Sequence, residues 1–158
     1  MVSDPDTGGD RVAFRIARRV GVADLALGWM ALVYGIGTLG GGAAVGAGWP
    51  FALIGAGGFA AFLVLFRAGA LLRPADHRDV RDVRRGLRLG VLAGLPLALA
   101  PAVLLVECIA NGWLGVDAFG ALAVNLLVLA VPVAVNGIPL LLHGGTYRDA
   151  EDPSATFE

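Results

Sequence analysis

Four long apolar stretches, each of 20 or more residues, leave this sequence few ways to fold. They cover about residues 20–40, 50–72, 89–110 and 118–142. At about 1.5 Å of rise per residue, a helix of such length crosses a hydrocarbon core of about 30 Å. Strands of a membrane barrel are shorter and alternate apolar with polar positions, a pattern absent here. Backbone groups inside lipid must be satisfied within their own segment, so the stretches predict helices. The expected fold class is all-α, an integral membrane bundle of four transmembrane helices arranged as two hairpins. One transmembrane domain over residues 11–145 would carry them, between a polar N-terminal tail at 1–10 and a polar C-terminal tail at 146–158.

Composition removes most other classes. The chain is 57% hydrophobic and 16% charged, against roughly 25% charged residues in a soluble domain. That balance argues against a soluble enzyme, a nucleic-acid-binding module or a disordered chain. Cys108 is the one cysteine, so neither an intrachain disulfide nor a Cys-based metal cluster can form. His77 and His143 are the two histidines, too few for a multi-His metal or haem site within one chain. The serines, Ser3 and Ser154, lie in the tails, so no serine nucleophile sits among the apolar stretches. The glycine-rich run from Gly40 to Gly48 lacks the lysine of a phosphate-binding loop. His77-Arg78-Asp79 matches a kinase tripeptide without any other kinase part. The expectation is a chain with no catalytic residues, no cofactor, no metal and no nucleic-acid partner.

The basic residues predict orientation. All 12 are arginines: Arg11, Arg15, Arg18 and Arg19 before the first stretch, seven from Arg67 to Arg88 around the central link, and Arg148 after the fourth. The other two links, near Gly41–Trp49 and Asn111–Asp117, carry none. Under the positive-inside rule both termini and the central link are cytoplasmic, in a multi-pass protein of the cell membrane. Trp49 and Trp113 fall at the two outer turns, where indole rings favour the interface. Arg18-Arg19 followed by Ala44-Val45-Gly46 superficially suits a cleavable export signal. Gly21 stands where such a signal has a bulky apolar residue, and more membrane follows, so an uncleaved span is expected. Arg11, Arg15, Arg18 and Arg19 recur at helical spacing and form a stripe suited to anionic lipid head groups.

Local signals refine the layout. Asp10 can cap a helix leading into the first span. Pro74 interrupts the chain after the second. Beyond it, Val80, Val83 and Leu87 give an amphipathic helix continuous with the third span. Pro96, Pro101, Pro132 and Pro139 predict bends in the third and fourth helices. Gly86, Gly90, Gly94, Ala98 and Ala102 recur every four residues, a seam for close helix packing. Gly37 and Gly41 suggest a similar contact near the end of the first helix. A faint repeat pairs Arg18-Arg19 and Gly48-Trp49 with Arg84-Arg85 and Gly112-Trp113, spacing that any two membrane hairpins also produce.

Depth arithmetic sorts the polar residues within the spans into two sets. Tyr34, Thr38, Glu107 and Asn125 fall toward the outer boundary, with Cys108 beside them. Asp24, Arg67 and Asn136 fall toward the inner one, where Asp24 and Arg67 are expected to form an ion pair. The leading expectation for function is a non-catalytic membrane protein that packs with itself, as a homo-oligomer, or as an accessory subunit of a larger membrane complex. The alternative is a small transporter or channel component using Glu107 and Asn125.

Overall fold

The computed structural model describes residues 8–44, 48–73, 80–112 and 115–149. Its elements are α1 (Gly8–Ala44), α2 (Trp49–Leu72), α3 (Val80–Leu92), α4 (Gly94–Leu97), α5 (Leu99–Ala110) and α6 (Val116–Asp149). The described residues are all-helical, and four runs of helix are long and apolar enough to cross a membrane: Arg11–Ala44, Trp49–Leu72, Arg81–Ala110 and Val116–Gly145. The segment with Pro74, Asp76, His77, Arg78 and Asp79 lies outside the described residues, as do Trp113 and the tails at 1–7 and 150–158.

Two helices outrun the apolar stretches that define them. With 37 residues, α1 is roughly 55 Å long, well beyond a hydrocarbon core of about 30 Å. It begins at Gly8, so Asp10 falls inside its first turn instead of capping it. The extension is amphipathic: Ala13, Phe14 and Ala17 are buried while Arg15, Arg18 and Arg19 are exposed. Those apolar residues join Val20, Leu72, Val83 and Leu87 in a core at the arginine-bearing end of the helices. The 34-residue α6 likewise runs on to Asp149, past the end of the apolar stretch near Leu142.

The prolines act differently in the two helices that hold them. Pro96 has no N–H to give the carbonyl of Leu92, and Pro101 none for Leu97; α3 ends at Leu92 and α4 at Leu97. Ala93 and Ala98 stay right-handed and donate to Leu89 and Gly94 at 2.9 Å each, so the third span is one interrupted helix. Pro132 and Pro139 sit inside α6 without ending it. At the close of α5, Gly112 takes φ +63, a left-handed stop that favours glycine.

Glycine fixes how α1 meets α2. Gly21, Gly28, Gly35 and Gly42, seven residues apart, face Leu72, Leu65, Gly58 and Phe51 in one antiparallel register. A Cβ on Gly58 would stand 2.9 Å from both the Ala31 carbonyl oxygen and the Gly35 Cα, so the backbones themselves touch. A seven-residue repeat holds such a seam in place along two helices that wind around each other. The far side of α2 is equally close to α4, since a Cβ on Gly57 would lie 2.5 Å from the Pro96 carbonyl oxygen. Gly37 and Gly41, by contrast, have nothing within 4 Å of the Cβ position, and the contact expected there does not form.

Candidate functional site

Two polar links and a cavity between α1 and α6 hold most of the polar chemistry inside the spans. The first link is at the arginine-bearing end. Asp24 of α1 and Asn136 of α6 are both 0% exposed, and Asn136 Nδ2 donates to Asp24 Oδ1 at 2.7 Å. The same nitrogen donates to the Pro132 carbonyl at 3.1 Å, one turn back along α6. Gly90 of α3 supplies the third wall. A Cβ there would lie 2.1 Å from Asn136 Cγ, so only glycine admits the amide. Asp24 Oδ2 and Asn136 Oδ1 are buried and accept no hydrogen bond.

The second link is toward the opposite end of the spans. The Tyr34 hydroxyl donates to Asn125 Oδ1, while Asn125 Nδ2 anchors on the Ala121 carbonyl at 2.8 Å. Thr38 Oγ1 donates to the Tyr34 carbonyl at 2.7 Å and so closes on its own helix. Asn125 and Asn136 are eleven residues apart, about three full turns, and therefore share the face of α6 turned toward α1.

Between the links lies an apolar cavity of about 310 Å³. Leu27, Met30 and Ala31 of α1 form one side of it, and Leu127, Val128 and Val131 of α6 the other. Met30 is 65% exposed and Leu127 64%, so the cavity opens sideways between the two helices. Tyr34 and Pro132, each tied to one of the links, also line it.

The remaining expected site residues fall elsewhere. Arg67 does not join Asp24: it is exposed on α2, and the Asp24 carboxylate takes its hydrogen bond from Asn136 instead. The reason is rotational. Arg67 stands two positions past Leu65, which faces α1, and two positions turn a helix by roughly 200°. Glu107 does not join Asn125 either. It is half-buried on α5 and accepts from Asn111 Nδ2 at 2.8 Å, beside a hollow lined by Trp49, Phe51 and Ile54. Cys108 next to it is buried.

The third-helix seam divides along its length. Gly86 meets Leu72 of α2, while Gly90 meets Asn136 and Gly94 meets Val133, both of α6. Ala98 is half-buried and Ala102 exposed, so the seam ends in the proline-interrupted part of the helix.

Asn111 and the heptad glycines were not picked out as site residues from the sequence. Asn111 was findable, since it lies one turn after Glu107 on the same helix. Gly21, Gly28, Gly35 and Gly42 were findable from their spacing alone. The chain matches no family model, no curated protein and no solved structure.

Proposed function

We propose that the protein is a small, non-catalytic, multi-pass protein of the cell membrane that acts by packing, with further copies of itself or as an accessory subunit of a larger membrane complex. The observation that carries this reading is the thin coverage of α6. Of its most apolar stretch only 11% is buried within the chain, against 33–39% in the other three spans. In lipid, helices associate through close packing and interhelical hydrogen bonds, not through apolar exposure alone. The α1–α6 seam is held by two polar links around an open cavity, and a further helix against α6 would complete it. Glu107 and Asn125 engage separate partners, Asn111 and Tyr34.

The reading includes an orientation. Both termini and the central link face the cytoplasm, and the two hairpins turn on the outside. Arg15, Arg18 and Arg19 are exposed together around a shallow hollow with Val22. There they would meet the phosphates of anionic lipids.

Copy number in lipid tests the main claim. Photobleaching steps of singly labelled protein in nanodiscs should show more than one copy, and Leu127→Cys in a Cys108→Ala background should form a disulfide between copies. A monomer in lipid that also lacks a stoichiometric partner after crosslinking in native membranes removes the proposal. For orientation, a cysteine at position 115 should label from outside intact cells and one at position 80 should not.

A further inference from the structure

We propose that Asp24 is a proton-binding site, carrying a proton on Oδ2 that it donates to Oδ1 of Asn136 and so closing a two-bond ring between α1 and α6. The donor count leads there. Asn136 Nδ2 has two hydrogens, and both are used, on Asp24 Oδ1 and on the Pro132 carbonyl. What remains is one carboxyl oxygen and one amide oxygen, both buried acceptors without a donor. Unpaired acceptors are costly away from water, and a lone carboxylate between membrane helices more so. One proton taken up from water by the carboxylate satisfies both atoms and removes the charge.

Among the described residues, the elements packed around the pair bring up the following groups. Toward this point α6 presents Asn136 and α3 presents Gly90. From α2, Gly69 and Leu72 meet this stretch of α1 at Leu25 and Gly21. Charged groups occur on the same elements, but Arg18, Arg19, Arg67, Arg73 and Arg88 are exposed and Arg84 is half-buried. His143 is half-buried two turns beyond Asn136 on α6. A hard metal cation is a poor fit, since it would take about six or more oxygens where two stand unpaired.

The pH dependence of unfolding in detergent, wild type against Asp24→Asn, tests the site. A proton that the folded state holds and the unfolded chain releases makes stability fall as pH rises from the ordinary carboxylate range to the point where the folded protein lets go, and level off above it. The wild-type midpoint should then fall on the order of 3 °C per pH unit. In Asp24→Asn, whose amide keeps the shape and pairs with Asn136, that dependence should vanish. Infrared spectra of folded protein with labelled aspartate add a second measurement: at mildly acidic pH the wild type should contain a protonated carboxyl band that Asp24→Asn lacks. Equal pH slopes in the two proteins, absence of that band, or a midpoint that rises with sodium in wild type alone would each overturn the proposal.

Discussion

The seam between α1 and α2 and the seam between α1 and α6 solve one problem in opposite ways. Along the first, four glycines at seven-residue spacing bring two backbones into contact, and no polar side chain takes part in the contacts that set the register. Along the second, two hydrogen-bonded pairs hold the helices on either side of an apolar cavity. A glycine seam tolerates one spacing, because its contacts are backbone against backbone. A polar link ties two points and lets the side chains between them pack loosely. The difference predicts a rigid first pair of spans and a more adjustable α6.

The most severe way to break this contrast is to open the glycine seam. Gly58→Leu would drive a side chain into the Ala31 carbonyl and Gly35 Cα, neither of which can rotate away. The expected loss is about 3 kcal/mol, the upper end of overpacking penalties, read as a lowered thermal midpoint in detergent. Gly37→Leu, where the Cβ position is empty, should stay within about 0.5 kcal/mol of wild type. Equal sensitivity of the two would show that α1 and α2 do not rely on the heptad contact.

How much of this was legible follows from what sequence patterns encode. Hydropathy gives the extent of each span, and the prolines mark where the third helix is interrupted. Rise per residue gives depth, so Asp24 with Asn136, and Tyr34 with Asn125, fall at matching heights. Depth says nothing about which way a residue faces around its helix, and the expected Asp24–Arg67 pair fails for that reason. The facing direction of α1 and α2 is set by Gly21, Gly28, Gly35 and Gly42, whose period points Arg67 away. Gly90 was visible as one of a row of small residues. Its particular use, admitting the Asn136 amide, depends on a helix 46 positions further along the chain.

A smaller effect separates the two links of the α1–α6 seam. Gly90→Ala places a methyl group within 2.3 Å of three atoms of the Asn136 side chain, so the amide must leave its position. Both its bond to Asp24 and its bond to Pro132 are then lost while Asp24 remains buried. The expected cost is about 2 kcal/mol. Gly94→Ala meets the end of the Val133 side chain instead, which can shift, and should cost about 1 kcal/mol. A Gly90→Ala variant as stable as the Gly94→Ala one would mean that the buried pair contributes nothing to holding α6.

The mildest expected change lies at the opposite link. Tyr34→Phe removes one hydroxyl and with it the bond to Asn125, but little else depends on that oxygen. Asn125 keeps its own anchor on the Ala121 carbonyl, and Thr38 bonds to the backbone of residue 34, which the substitution leaves alone. The phenyl ring still lines the cavity and still packs beside Ile54 and Val103. A single interhelical hydrogen bond within a membrane is worth about 0.6 kcal/mol, which lowers the midpoint by roughly 2 °C. Tyr34 is half-buried and Asp24 wholly so, and a half-buried acceptor left behind can find water or a head group where a fully buried one cannot. The α1–α6 seam should therefore loosen first at its Tyr34 end, and hydrogen exchange of α6 should speed up around Asn125 before it does around Asn136. A Tyr34→Phe loss as large as that of Gly90→Ala, or exchange that quickens first at Asn136, would reverse the order of the two links.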